Sequence, residues 1–225
     1  MKGFTPLSEK LGPEEVYGMM DEVYEILIHK VHEYEGTVNE MTGDGIMALF
    51  GAPIALEDAP QRAIRAAIAI HKEMTRFNER MRQEKGEFPP VKMRVGIHTG
   101  PVVVGTLGND LRVEFKAVGD TVNLASRLES ANKFYGTHIL ISGPTYAQAG
   151  DGFVVRVLGG VRVKGKTQAV PIYELLGRTG EAVRVTSSPL GLFGVVASGV
   201  RLPMQMYRTG PIIKALETKL GRSDM

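Results

Sequence analysis

The sequence predicts an α+β fold, one domain of ordinary size followed by a tail, and three observations carry that prediction. Apolar residues recur every three or four positions over three long stretches. Short alternating or β-branched runs lie between those stretches. Clusters of Gly, Pro, Asp and Asn punctuate the boundaries. Together they predict helices alternating with hairpins over a single sheet.

Residues 13 to 35 place Pro13 at a first helical position and Glu14 and Glu15 in the first turn. Val16, Met20, Val23, Leu27, Val31 and Tyr34 then follow three or four apart, which predicts an amphipathic helix. "GTVNEM" and "IMALFG" are β-like runs separated by Thr42-Gly43-Asp44-Gly45, so a hairpin comes next. From Glu57 to about Lys85, Ala63, Ala67, Ile70, Met74, Phe77 and Met81 mark a second helix, ended by Gly86 and Pro89-Pro90.

Residues 91 to 107 read as two β runs broken at Thr99-Gly100-Pro101, and "RVEFKAVG" adds a strand. In "DTVNLASRLESANKFYG", Val122, Leu124, Ala125, Leu128 and Ala131 share one side and Gly136 is the stop, which predicts a third helix. "THILIS" is a strand, "GPTYAQAG" a short helix or helical turn, and residues 153 to 175 a β-rich end. After Arg178 the apolar pattern is broken by glycines and only "PIIKALETKLG" reads as helical. Residues 178–225 are expected to be a linker and C-terminal segment with no chemistry of their own.

Composition narrows the classes. The chain has 225 residues, 43% of them hydrophobic, enough for a substantial core. No apolar run approaches the roughly 20 residues that span a bilayer, and no signal-peptide core follows Met1, so no membrane span is expected. The absence of cysteine excludes disulfides and thiolate chemistry and agrees with a reducing cytoplasm. Net charge is +2, but residues 1–177 hold 20 Lys/Arg against 22 Asp/Glu while residues 178–225 hold 7 against 3. The tail makes the chain basic, and without an arginine-rich run carrying interleaved aromatics no nucleic-acid partner is expected.

One stretch imitates a phosphate-binding P-loop. Gly160, four residues, then Gly165-Lys166-Thr167 satisfy its pattern. A P-loop needs a turn from strand into helix, whereas Val161-Arg162-Val163-Lys164 alternates like a strand and Pro171 with β-formers follows. The P-loop reading is therefore rejected.

Four segments in fixed order, "GTVNEMTGDGIMALFGAP", "MRVGIHTGPVVVGTLG", "VGDTVNLASRLE" and "VKGKTQAVPIYEL", closely resemble the catalytic domain of class III nucleotidyl cyclases. The resemblance covers about residues 3 to 176, placing a catalytic domain over 1–177. It implies a ferredoxin-like (palm-type) sandwich, a mostly antiparallel sheet with helices on one face, here without its first strand. It also implies conversion of ATP or GTP to a 3′,5′-cyclic nucleotide and pyrophosphate, for intracellular signalling.

Site residues follow position by position. Asp44 stands in a Gly-flanked turn; alone, Gly-Asp-Gly is ordinary turn chemistry, but the resemblance makes it one of two aspartates holding two Mg²⁺ or Mn²⁺ ions. One ion would activate the ribose 3′-hydroxyl and the other clamp the triphosphate. The second aspartate would fall immediately before Met1, three residues before the Gly of Gly3-Phe4-Thr5. Phe4 and Thr5 are placed at the substrate. Either the natural protein begins upstream or this is a degenerate cyclase; loss of a central strand should cost far more than the about 5–15 kcal/mol by which a domain is stable, so an upstream start is expected, and an in-frame Phe-Ala-Asp there would restore the metal site.

Asn123 and Arg127, four apart on one helix face, would orient the ribose and stabilise charge on the reacting phosphate. A solvated Arg beside a locally bonded Asn is the structural alternative. Lys164 matches the lysine that reaches the terminal phosphates, while Lys166 is expected to face solvent. In adenylate-type members a Lys four residues before the metal Asp, and an Asp or Thr three residues before the Gly of "VGDTVN", read adenine. Here they are Glu40 and Lys116, with the charges exchanged. Glu40 matches guanylate-type members, with Lys116 donating to O6; alternatively the two pair with each other and select no base strongly.

The resemblance further implies a homodimer with shared active sites. Asp44 would come from one subunit, and Glu40, Lys116, Asn123, Arg127 and Lys164 from the other. His71 and His98 have no family role. The competing function is a non-catalytic cyclase-like module that binds nucleotide or a partner. The absent aspartate and the exchanged pair favour it; the presence of Asp44, Asn123, Arg127 and Lys164 favours the enzyme.

Overall fold

The computed structural model describes residues 11–43, 45–109, 111–162 and 169–180. The expected sites Phe4, Thr5, Asp44 and Lys164, the look-alike loop's Gly165-Lys166-Thr167, and the tail beyond residue 180 lie outside the described residues. The chain divides into two compact units, Met1–Arg94 with Val102–Val118, and Val95–Pro101 with Gly119–Met225.

The first unit holds helices α1 (Pro13–Glu33) and α2 (Ala59–Lys85) and the hairpins β1 (Thr37–Met41)–β2 (Ile46–Leu49) and β4 (Val103–Asn109)–β5 (Arg112–Val118). The predicted apolar stripes form its core. Met20, Val23, Leu27 and Val31 of α1 meet Ile70, Met74, Phe77 and Met81 of α2, with Phe88, Val91 and Met93 closing the cluster. Ion pairs Glu15–Lys85, Glu22–Arg80 and Lys30–Glu73 descend one helix while climbing the other, so the two run antiparallel. Val38, Ile46, Ala48 and Phe50 of the first hairpin region pack on the same core.

The second unit is a four-stranded sheet in the order β3-β6-β8-β7, where β3 is Val95–Ile97, β6 Ile139–Ser142, β7 Phe153–Arg162 and β8 Ala169–Arg178. β3 runs parallel to β6, and the other pairings are antiparallel. A parallel pair requires a crossover, and α3 (Asp120–Tyr135) packs on both of its strands. Every residue of β6 is buried, as its unbroken apolar run requires. A short helix α4 (Gly143–Ala149) follows, capped by Ser142, whose hydroxyl accepts from the Thr145 N–H.

Among the described residues the predicted helices and strands are present, and Gly136 ends α3; the helical reading of "PIIKALETKLG" lies outside them. The expectation of a single sheet does not hold among the described residues. Both hairpins are two-stranded sheets of their own. Local turns suffice to close a hairpin, whereas merging hairpins into one sheet requires a strand from elsewhere in the chain to pair with their edges.

Candidate active site

Glu40 owes its orientation to an irregularity in β1. Val38 pairs with Ala48, but Glu40 pairs with Met47, so Asn39 is an extra residue, a β-bulge. Without it Glu40 would oppose Ile46 and share the face of Val38, Ile46 and Ala48, which packs on the core. The bulge moves Glu40 onto the opposite face, with Met47. The Asn39 side-chain amide has no hydrogen-bond partner among the described residues.

On β5, Arg112, Glu114 and Lys116 alternate by two and so share one face. They form a ladder of alternating charge. Arg112 pairs with Glu114 Oε1; Lys116 Nζ lies 2.9 Å from Glu114 Oε2 and 3.2 Å from Glu40 Oε1. Hydrogen bonds to Glu114 first and Glu40 second hold the Lys116 ammonium above the ordinary lysine range. Those from Lys116 and then Arg112 hold the Glu114 carboxyl below the usual range. Opposite Lys116 on β4 stands Gly105, where an added Cβ would meet nothing within 4 Å. The structure thus brings Glu40 and Lys116 together as a pair and adds Glu114, which the sequence reading did not single out. Its signal was the i, i+2, i+4 alternation of Arg, Glu and Lys in "RVEFK".

Asn123 and Arg127 ride on α3, whose other side buries Leu124, Leu128, Ala131 and Tyr135. Asn123 is exposed and Arg127 half-buried, one turn apart, and neither side chain has a polar partner among the described residues. Local bonding by Asn123 is therefore not what occupies it. The helix beneath them is held rigidly. Gly96 of β3 touches α3 backbone to backbone, so that a Cβ there would stand 2.8 Å from the Leu128 carbonyl carbon, nearer still to Ala125 and Glu129 backbone. Buried Asn132 donates to the carbonyls of Val95 at 2.9 Å and Leu128 at 3.0 Å and accepts from the Thr137 hydroxyl. At the helix start, Thr121 Oγ1 donates to the Pro101 carbonyl.

Among the described residues no group of three or more His, Asp or Glu could hold a metal ion. Around position 44 the described turn is ordered by a Thr42 N–H to Gly45 carbonyl bond of 2.8 Å, by Gly43 at φ +65, and by Tyr24 of α1, whose hydroxyl donates to the Gly43 carbonyl at 2.9 Å. His98 is engaged structurally: its Nδ1 lies 2.8 Å from Ser142 Oγ, which meets Thr145 Oγ1 at 2.9 Å. His71 lies half-buried on α2. No helix among the described residues is long and apolar enough to cross a membrane.

Residues 1–177 match the family model of the adenylate and guanylate cyclase catalytic domain, and the chain belongs to that family. It is 40% identical over 174 residues to adenylate cyclase 1 of Rhizobium meliloti (strain 1021), covering 77% of this chain and 26% of that protein. Identity to an adenylate cyclase of Anabaena cylindrica is 32% over 180 residues, covering 78% and 35%. The matched part thus spans about a quarter to a third of these curated relatives. Among solved structures, the guanylyl cyclase Cya2 superposes with TM-score 0.71 at 34% identity, covering 79% of this chain and 88% of that one. The adenylyl cyclase CyaB from P. aeruginosa gives 0.70 at 34%, covering 77% and 88%. The guanylate cyclase domain of RhGC from Catenaria anguillulae, solved in complex with GTP, gives 0.65 at 27%, covering 79% and 92%. The α+β, palm-type class expected from the sequence is the fold of these cyclase domains.

Proposed function

We propose that the protein is a nucleotidyl cyclase that converts ATP or GTP to the 3′,5′-cyclic nucleotide and pyrophosphate for intracellular signalling, acting as a homodimer with shared sites. The observation that carries this reading is the face of α3 on which Asn123 and Arg127 stand one turn apart with their polar atoms uncommitted among the described residues, on a helix braced by Gly96 and Asn132. In the reaction the ribose 3′-oxygen bonds to the α-phosphorus, the bridging oxygen leaves with its electron pair as pyrophosphate, and the 3′-hydroxyl proton is released. Asn123 orients the ribose. Arg127 donates to the charge that grows on the α-phosphate. Lys164 takes the terminal phosphates as a point charge, and Phe4 and Thr5 lie along the substrate. Asp44 would hold Mg²⁺ or Mn²⁺, two ions in the complete site, which supply charge neutralisation and a more acidic hydroxyl.

Support for the dimer comes from the β4–β5 hairpin. It exposes Val103, Leu107, Leu111, Val113 and Val118, with Leu111 94% exposed, an apolar surface of the kind subunit contacts cover. The catalytic domain is assigned to residues 1–177, and 178–225 to a segment of unknown role. A cytoplasmic location follows from the proposed nucleoside triphosphate substrates. The test is cyclic-nucleotide formation by the full-length protein with ATP or GTP and Mg²⁺ or Mn²⁺. We expect turnover in the parent and a loss of roughly a hundredfold or more in kcat for Arg127→Ala. A parent without product, or an Arg127→Ala variant as fast as the parent, contradicts the reading.

A further inference from the structure

We propose that Thr121 is a positioning residue for cyclisation: its hydroxyl ties the first turn of α3 to the turn at residues 98–101, and that tie sets the Asn123 side chain against the ribose. This rests on the cyclase reading, in which Asn123 orients the sugar. The middle of α3 is gripped by β3, through Gly96 against the backbone of Ala125, Leu128 and Glu129 and through Asn132 on the Val95 carbonyl. That grip lies on the C-terminal side of Asn123. On its other side the helix starts at Gly119, which offers no side-chain cap, and the Asn123 N–H reaches the Gly119 carbonyl only at 3.5 Å, a weak bond. Thr121, in the same turn as Asn123, donates to the Pro101 carbonyl.

The anchor is stiff because it is built on buried hydroxyls. β3 and β6 run parallel and end side by side, Ile97 opposite Ile141. Beyond those ends His98 Nδ1 lies 2.8 Å from Ser142 Oγ, Ser142 Oγ 2.9 Å from Thr145 Oγ1, and Thr99 Oγ1 3.0 Å from Thr145 Oγ1, with Ser142 and Thr145 fully buried. The Thr145 hydroxyl donates to the Ile97 carbonyl, and its N–H to Ser142 Oγ. A hydroxyl has one proton and two acceptor positions. All these contacts are hydrogen bonds at once in a single arrangement: His98 Nδ1–H donates to Ser142, Ser142 and Thr99 donate to Thr145, and Thr145 donates to Ile97. The hydroxyls of Ser142 and Thr145 are then saturated, and a buried network in that state is rigid. Between this network and α3 stands Gly100, where a Cβ would lie 3.0 Å from Thr121 Oγ1 and 3.3 Å from His98 Nε2. The turn passes between the imidazole and Thr121 with no room for a side chain.

Steady-state kinetics of the full-length protein, with Mn²⁺ and whichever of ATP and GTP it cyclises, test this in the parent, Thr121→Val, Thr121→Ser, Asn123→Ala and the double variant Thr121→Val with Asn123→Ala, each also unfolded with denaturant. Thr121→Val removes the donor and keeps the shape. We expect it to stay folded and to lose about tenfold in kcat with KM nearly held, within the roughly hundredfold that about 1 Å of misplacement costs. Thr121→Ser restores most of the loss. The double variant is no slower than Asn123→Ala alone, because Thr121 acts through Asn123. Parental kcat in Thr121→Val, a loss that multiplies in full with that of Asn123→Ala, or a Thr121→Val chain that no longer folds overturns the role of Thr121 and leaves the cyclase reading standing. A parent that cyclises neither nucleotide overturns both.

Discussion

Lys116 reaches Glu40, 76 residues away in the chain and on another hairpin, Nζ to Oε1 3.2 Å, while its shorter contact runs along its own strand to Glu114. The pair anticipated from the sequence as either a base reader or a self-neutralising couple is therefore a contact, but a shared one.

Exchanging the pair should exchange the base. Glu40→Lys with Lys116→Asp offers adenine an acceptor for its 6-amino group and removes the carboxylate proposed to receive the guanine 2-amino group. Preference in kcat/KM should shift toward ATP by roughly tenfold or more. Parallel kinetics with both nucleotides check it, and an unchanged preference contradicts it.

The ladder should be insensitive to pH near neutrality. The Glu114 carboxyl is depressed below its ordinary 4.5 by Lys116 and Arg112, so its contribution is present above that value and is lost only as pH falls through the depressed one. The Lys116 ammonium is raised above 10.5 by Glu114 and Glu40; its contribution is complete below 10.5 and is lost as pH rises through the raised value. Base preference measured from about pH 6 to 9 should be flat. A bend inside that window means another group selects the base.

Gly96→Ala should unseat α3. The new methyl would sit within backbone distance of Leu128 and closer to Ala125 and Glu129, none of which is a flexible side-chain tip. Overpacking of this kind costs about 3 kcal/mol. Denaturant unfolding should show that loss, and the variant's residual activity should fall along with it because Asn123 and Arg127 ride on the displaced helix. Wild-type stability in Gly96→Ala contradicts the packing described.

A buried pair on the sheet gives a pH-signed prediction. Glu174 of β8 is 4% exposed and pairs with Arg156, its cross-strand neighbour on β7. Burial raises its carboxyl above the ordinary 4.5, with Arg156 opposing. Because the folded value is raised, ionising Glu174 weakens the fold: its contribution is complete below about pH 4.5 and is lost as pH rises. Arg156→Leu, which strands the charge, should cost about 3–5 kcal/mol at neutral pH. Unfolding curves at several pH values should show that cost shrinking as the pH falls toward 4.5. A cost independent of pH contradicts it.

What the sequence revealed depended on whether the determinant was local. The α1 and α2 stripes were legible because their period of three to four residues is a property of the helix itself, and the four motifs placed Asn123 and Arg127 on one helical face. The bulge at Asn39 was not legible, since "TVNEM" alternates no differently from a regular strand and only pairing with β2 reveals the extra residue. Glu114 escaped for a related reason: its partner is local, but its meaning comes from Glu40 on a distant hairpin. The separation of the strands into one sheet and two hairpins also depends on which edges meet, a non-local matter that turn signals do not encode.

The central claim, a cyclase whose sites are shared between two subunits, is tested most directly by complementation. Asp44→Ala and Arg127→Ala each inactivate a homodimer, but in the mixed dimer one composite site carries both lesions and the other carries neither. Mixing equal amounts of the two inactive full-length proteins should restore cyclic-nucleotide formation to about a quarter of the parent rate, because half the dimers are mixed and each has one intact site. A mixture as inactive as either variant alone, while labelled subunits show that mixed dimers have formed, would contradict the account.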